Sequence, residues 1–475
     1  MKIDWKYVGV FALAAVAASF LYYYKFLNNF FVDDDFKYLE NMFHGPLAVL
    51  LGYGTIRVVS NTVWWPLYAL SGLDPFGYNL FGVVMHAVDS VLLCIFLMRL
   101  TGDKILAAIC GGIFVLNSVG CDALFWKAAS NTLINVFFYL ITLYLYVVYR
   151  QEGSRKHLLL SIASYLVAMF SKEDAASMPF IILLLELTFF DGLRSVKETI
   201  MRTVPYAAVI VAYALTNHLV FNVLLNTSAE HIQFFKIRPL HSLLTPWSVF
   251  FLRPEGFLKP DNPAIPATII GIVASFFWVK NRKLLYFGYG WIFLAFLPQS
   301  FTSLGHLEPI YIANSISRYM YITSIGSSLV LGAVMVRLRE KFSRTVFLCG
   351  VVIFFSLFIP LNYGLVQARG VEWQNGNEQT ARFLVAIKKI IPVLPPKTNI
   401  FIEEPPAGRA FIQQALRAFY GNTDITWISD PIHYVHQPGV NSFLVTCLWG
   451  YEGELSLHVR WNDSAGQKHY VSSDF

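Results

Sequence analysis

FVDDDF, residues 31–36, sets three carboxylates directly behind the first long apolar run of the chain, Tyr7 to Leu27. A helix that has crossed a bilayer surfaces at such a point, since about 20 apolar residues traverse a hydrocarbon core of about 30 Å. Asp33, Asp34 and Asp35 therefore mark a concentrated acidic site at a membrane boundary. Asp also favours helix N-caps and first turns, so taken alone the triplet reads equally well as a solvated helix start or a plain interfacial loop. No small-residue cleavage site follows the apolar run, which reads as a retained helix rather than a signal peptide.

Composition carries the same message through the whole chain. Of 475 residues, 56% are hydrophobic, 16% aromatic and 14% charged, whereas soluble domains average about 25% charged. The expected fold class is a polytopic α-helical membrane protein with about 11 transmembrane helices and a small C-terminal α/β domain. The spans fall near 7–27, 78–99, 104–121, 131–150, 157–171, 175–190, 203–225, 263–280, 284–302, 317–337 and 344–366. The fifth and sixth are short and flank SKED, the pattern of a tight hairpin or a partly re-entrant pair.

Charge sets the expected orientation, because Lys and Arg gather in cytoplasmic loops. With the N-terminus inside, each short cytoplasmic segment is basic, from Lys2 and Lys6 to Arg337, Arg339, Lys341 and Arg344. The short loops on the opposite face hold one basic residue each: Lys127, Lys172 and Arg318. The acidic loop, a long loop at 226–262 and the C-terminal tail are then extracytoplasmic, and the net charge of +6 reflects topology rather than nucleic-acid binding. Cys94, Cys110, Cys121, Cys349 and Cys447 show no metal or disulfide spacing.

The outer loop 28–77 is long enough to carry structure. Phe36, Leu39, Met42 and Phe43, then Leu47, Leu50 and Leu51, recur at helical spacing, which predicts amphipathic segments on the membrane surface with Trp64, Trp65 and Tyr68 as headgroup anchors. After about residue 370 the pattern becomes that of a soluble module, 371–475. Gln374 to Ile391 and the stretch around Phe411 to Phe419 read as helices, and NIFIEE, DITWIS and SFLVTCLW as strands.

Five stretches, in order, carry a family resemblance: FVDDDF, YGTIRVVSNTVWWPLYALSGLDPFGYNLFGVVMH, NSVGCDALFW, SKEDA and SRYMYITSIG. Residues 1–370 resemble the membrane portion of GT-C fold glycosyltransferases. Within that fold they look most like the protein O-mannosyltransferase-related family, whose eukaryotic members carry tetratricopeptide repeats and whose bacterial relatives lack them. The tail here has no such repeat, Asn79 stands where the family often has His, and Asp122 where it often has Glu.

The resemblance implies an integral inner-membrane enzyme that moves one hexose or pentose from a polyprenyl-phosphate donor to an acceptor hydroxyl, with inversion, on the extracytoplasmic face. The acceptor is a glycan, a lipid or a protein. Such chemistry needs a general base at the hydroxyl and positive charge at the departing phosphate. By motif position Asp34 or Asp35 is the base, and Asp122 is a second carboxylate or a helix cap. Arg57 and Arg318 are the phosphate candidates, since a guanidinium offers forked donors and stays charged. Lys172, Glu173, Asp174 and Lys127 either face the cavity or form polar tips at the membrane edge. No cofactor is expected; a divalent metal held by three aspartates is the open alternative.

His86, Asp89 and Glu186 fall inside spans, where ionisable groups are costly. His86 and Asp89 share a helix face and support a competing reading as a proton-coupled transporter or flippase, or act as bundle glue. A non-catalytic membrane scaffold is the third reading.

Overall fold

The computed structural model describes residues 3–51, 56–190, 192–222, 245–250, 264–300, 309–403, 411–428, 440–449, 455–463 and 467–475. Apart from a short turn at Thr245–Phe250, the expected 226–262 loop lies outside the described residues. The helices are α1 (Trp5–Tyr23), α2 (Asp34–Asn41), α3 (Pro46–Leu51), α4 (Val58–Ser71), α5 (Pro75–Thr101), α6 (Lys104–Leu116) and the single turn α7 (Asp122–Phe125). They continue with α8 (Ser130–Glu152), α9 (Arg155–Met169), α10 (Met178–Phe189), α11 (Val196–Phe221), α12 (Ala264–Trp278), α13 (Arg282–Ser300), α14 (Pro309–Lys341) and α15 (Arg344–Ile390). A helix stands at every expected span.

The chain is a polytopic helical membrane protein with a small C-terminal sheet domain. Among the described residues, six stretches are long and apolar enough to cross a bilayer: Trp5–Phe26, Pro75–Thr101, Lys127–Glu152, Val196–Phe221, Ser317–Lys341 and Arg344–Ile390. Lys104–Leu116 and Pro266–Trp278 are shorter apolar helices. α10 has 12 residues and reaches only about 18 Å, well short of a full core. It joins α9 through the 3₁₀ turn Glu173–Ser177, which begins within the SKED segment.

Local chemistry sets the ends of these helices. The Asp74 carboxylate accepts from the Phe76 amide with Pro75 in the first turn, and α5 stops where Gly102 turns left-handed at φ 74°. Asp103 caps α6 through the Ile105 and Leu106 amides, satisfying donors that the helix leaves orphaned. The bundle closes tightly where α13 crosses α14: a Cβ on Gly326 would lie 2.6 Å from the Gly288 carbonyl oxygen, so this crossing admits only glycine, as small-residue membrane contacts do.

Ion pairs gather at the end of the bundle predicted to be cytoplasmic. Arg99 meets Glu152, Arg339 meets Asp103, and Lys104 reaches Asp4 at 3.3 Å. Glu186 belongs to this set: Arg150 and Arg202 flank it, and Tyr146 donates to it at 2.7 Å. Its burial is thereby compensated.

The second, smaller core joins the outer loop to the tail. Phe31, Phe36, Tyr38, Leu39, Trp64 and Tyr78 pack in one cluster with Phe383, Leu384 and Ile387 of α15 and with the tail's apolar face. Trp64 is therefore no headgroup anchor: it is 2% exposed and stacks on Tyr38, with ring centroids 4.7 Å apart and 9° between planes. Trp65, by contrast, is partly exposed. The helix read at Gln374–Ile391 is no separate element but the end of α15, a single 47-residue helix.

The tail adds β1 (Thr398–Glu403), α16 (Ile412–Tyr420), β2 (Ile425–Ile428), β3 (Asn441–Trp449), β4 (Leu455–Asn462) and β5 (Lys468–Asp474). The sheet order is β2-β1-β3-β4-β5. β1 pairs in parallel with β2 and β3, and β3, β4 and β5 are antiparallel. The inner face, with Ile400, Val445, Leu457 and Val459, is buried against the ends of α15 and α16.

Candidate active site

The acidic triplet opens α2 through a strained residue. Asp33 has φ 44° and ψ −114°, a positive-φ conformation that costs a non-glycine residue on the order of 1–3 kcal/mol and that clusters at functional sites. The bend sends the next two carboxylates to different places. Asp35 is fully buried: its Oδ2 accepts from the Val32 amide at 3.0 Å and its Oδ1 from the Ala128 amide at 2.6 Å. Burial pushes its carboxyl up to about 7, against the pull of Lys127 and of those two amides. Asp34 is half-buried, and no donor among the described residues hydrogen-bonds its carboxylate.

Asp34 also belongs to a circuit of contacts carried partly by side chains and partly by sequence neighbours and backbone amides. One turn along α2, Tyr38 lies within electrostatic reach of Asp34, Arg57 and Glu173 and shares a hydrogen bond with Arg57. Arg57 forks onto Glu173, with Nε donating to Oε2 at 3.0 Å and Nη2 to Oε1. Burial alone would raise the Glu173 carboxyl, but the Arg57 guanidinium outweighs it and holds the group down to about 2. Lys172, the residue before, places Nζ 2.8 Å from both Asp174 Oδ2 and Thr132 Oγ1, and 4.7 Å from the Tyr319 ring centroid.

From Tyr319 the circuit returns to the triplet. Arg318 donates from Nη2 to the Tyr319 hydroxyl at 3.0 Å and stacks its guanidinium over Trp126 at 4.3 Å. Two residues after Trp126, the Ala128 amide holds Asp35. Between them Lys127 is buried and donates to the Phe30 carbonyl at 2.7 Å, so it pins the backbone just ahead of the triplet. No carboxylate pairs with Arg318 among the described residues. Among the described residues, two carboxylates of the triplet, Asp33 and Asp34, thus have no hydrogen-bond donor, and the guanidinium of Arg318 has no carboxylate partner.

Asp122 stands outside this circuit. Arg369 grips it bidentately, Nε to Oδ1 at 2.8 Å and Nη2 to Oδ2 at 3.1 Å, and Trp373 Nε1 donates to Oδ1 at 2.7 Å. Trp373 in turn lies 6.0 Å from Trp126, ring to ring. Asp122 is 1% exposed, so Arg369→Ala strands a buried charge. That loss costs about 3–5 kcal/mol, and a fall in the thermal unfolding midpoint in detergent checks it.

Two residues that sequence reasoning passed over, Tyr38 and Arg369, complete the arrangement, beside Asn79, which it singled out only as a departure from the family pattern. Tyr38 sits four positions after Asp34, hence on the same helix face, a spacing that could have singled it out. Arg369 follows the last expected span and gave no motif signal. Asn79 donates to the Leu27 and Asn29 carbonyls at 2.8 and 2.9 Å and fixes the exit of α1.

Among the described residues, no group of three or more His, Cys, Asp or Glu side chains converges to hold an ion, and the three aspartates do not form such a cage. Within the bundle, His86 bonds the Tyr321 hydroxyl at 2.9 Å and the Val115 carbonyl at 3.1 Å, and Tyr321 donates to Asp89 at 2.9 Å. This network cross-links α5, α6 and α14, the arrangement expected of bundle glue.

No family model matches the sequence, and no curated protein matches it. Among solved structures the chain is similar to ArnT from Cupriavidus metallidurans bound to undecaprenyl phosphate, at 11% identity and a TM-score of 0.49, over 94% of each chain. It is also similar to the archaeal oligosaccharyltransferase AglB from Archaeoglobus fulgidus in complex with an inhibitory peptide and a dolichol-phosphate. There the identity is 11% and the TM-score 0.47, over 97% of this chain and 74% of that one.

Proposed function

We propose that this protein is a GT-C type glycosyltransferase that moves a single sugar from a polyprenyl-phosphate donor to an acceptor hydroxyl, with inversion. The observation that supports the reading is the presence, in one circuit, of a carboxylate and a guanidinium, Asp34 and Arg318, that among the described residues lack respectively a hydrogen-bond donor and a carboxylate partner. Asp34 takes the proton from the acceptor hydroxyl as the new glycosidic bond forms. Arg318 neutralises the donor phosphate and the charge that grows on it as the bond to the anomeric carbon breaks. Polyprenyl phosphate leaves as the anion, so no separate acid is needed. Both Asp35 oxygens already accept backbone N–H bonds, which suits it to positioning Asp34 rather than to receiving a proton. No metal or other cofactor is assigned a step, and the acceptor is a hydroxyl of a glycan, lipid or protein.

The deciding measurement is the mass of lipid that copurifies with the protein. A polyprenyl-phosphate hexose or pentose is the expected result; only bulk phospholipid, together with no release of polyprenyl phosphate from added donor, would remove the proposal.

The same reading places the acidic loop and the tail outside the cytoplasm, with eleven crossings before the tail. Reporters fused at Gln374 and near Arg339 should then report opposite compartments. Cytoplasmic signals from both would break the topology and the site assignment with it.

A further inference from the structure

α2 has eight residues, and isolated helices shorter than about 12–15 residues are marginal in water. Its geometry must come from what grips it. Ahead of the triplet, the Phe30 carbonyl accepts from Asn377 of α15 at 3.0 Å as well as from Lys127, and the Phe30 ring lies 5.8 Å from that of Phe419 on α16. At the far end, Glu40 Oε1 accepts from Arg417 Nη1 of α16 at 2.7 Å, in a pair with side chains 9% and 20% exposed. Arg417 Nε meanwhile bonds the Ile425 carbonyl at 2.7 Å, so one guanidinium ties the sheet of the tail to the acidic helix. Phe36 and Leu39, on the buried face of α2, share a core with Ile412, Ala415 and Leu416.

We propose that the C-terminal domain is a clamp on the acidic helix, and that Arg417, through Glu40, is a positioning residue for Asp34. The segment from Phe30 to Glu40 is held at both ends by residues of the C-terminal part, with the strained Asp33 and the unengaged Asp34 between the two grips. A shift of about 1 Å at a reacting group can cost about 10²-fold in rate, so releasing one grip slows turnover without removing a donor contact. The inference rests on the assignment of Asp34 as the base.

The test uses the full chain in detergent and the variants Glu40→Ala, Arg417→Ala and Arg417→Lys. Glu40→Ala leaves the Arg417–Ile425 bond intact and so spares the fold of the tail. Hydrogen exchange over residues 34–41 should rise about 10-fold in Glu40→Ala, the size expected for loss of one contacting pair, while strands 398–403 and 441–449 keep their protection. Release of polyprenyl phosphate from a short-chain polyprenyl-phosphate hexose should fall about 10-fold or more in kcat, with KM for the donor unchanged, and Arg417→Lys should recover part of both losses relative to Arg417→Ala. Unchanged exchange over 34–41 in Glu40→Ala overturns the clamp, as does loss of strand protection in that variant. If Asp34→Asn keeps full turnover, the base assignment falls, and the exchange result still decides the clamp separately.

Discussion

Asp34→Asn should lower sugar transfer by about 10²- to 10⁴-fold, the usual contribution of general base catalysis, while leaving the unfolding temperature unchanged. The substitution keeps size and shape and removes only basicity. No fold-stabilising bond is lost, because no donor among the described residues hydrogen-bonds the Asp34 carboxylate. Asp35→Asn should behave differently. Its two oxygens accept from the Val32 and Ala128 amides, and an amide side chain can face only one of them with oxygen. The other amide then meets an NH₂ group, a buried mismatch costing about 1–3 kcal/mol. Rates measured with a polyprenyl-phosphate sugar, beside thermal unfolding in the same detergent, separate the two roles. Full activity in Asp34→Asn would return the triplet to a plain helix start.

Arg318→Ala should weaken donor binding and turnover together, by about 10- to 100-fold for loss of hydrogen bonds to a charged phosphate worth about 1.5–3 kcal/mol. The proposed role fits its surroundings: the guanidinium stacks on Trp126 and donates to the Tyr319 hydroxyl. Arg318→Lys keeps the charge but not the fork, so partial activity is expected. Arg57 is already spent on Glu173, which is why the larger effect belongs to Arg318. Arg337 supplies the control, since it donates to the Trp278 carbonyl and pairs with Glu340; Arg337→Ala should leave donor affinity intact. Equal donor affinity in wild type and Arg318→Ala would sink the assignment.

What the sequence could show was the part of the fold written in local periodicity. Apolar runs locate a helix at every expected position, because bilayer thickness acts on contiguous residues, although among the described residues only six stretches are long and apolar enough to cross. The tail's first strands were legible for the same reason. β4 was missed although Leu455, Leu457, Val459 and Trp461 alternate, with Leu455, Leu457 and Val459 fully buried; that period of two was there to be read. The site was legible as a set of residue types and illegible as a geometry. Arg57 meets Glu173 across 116 positions, and Asp122 meets Arg369 across 247. Nothing local in a chain announces such partners, so it took the folded arrangement to part the committed carboxylates from those without a donor among the described residues. Trp64 failed as an anchor for a related reason: an aromatic near a boundary serves equally well as core once a Tyr stacks on it.

The unbroken course of α15 has a consequence for how the tail is geared to the membrane. Its 47 residues span about 70 Å at 1.5 Å per residue, and Gly370 lets it press against the Phe26 ring, where a Cβ would come within 2.4 Å. Everything beyond that contact inherits its angular phase from the membrane portion. One alanine inserted between Gly376 and Phe383 would rotate the following segment by about 100° and raise it by about 1.5 Å, swinging Arg417 away from Glu40. Four inserted alanines would add about one full turn and bring the tail back near its original heading, about 6 Å higher. Activity across such an insertion series should therefore dip and partly recover with helical period, rather than decline steadily with length.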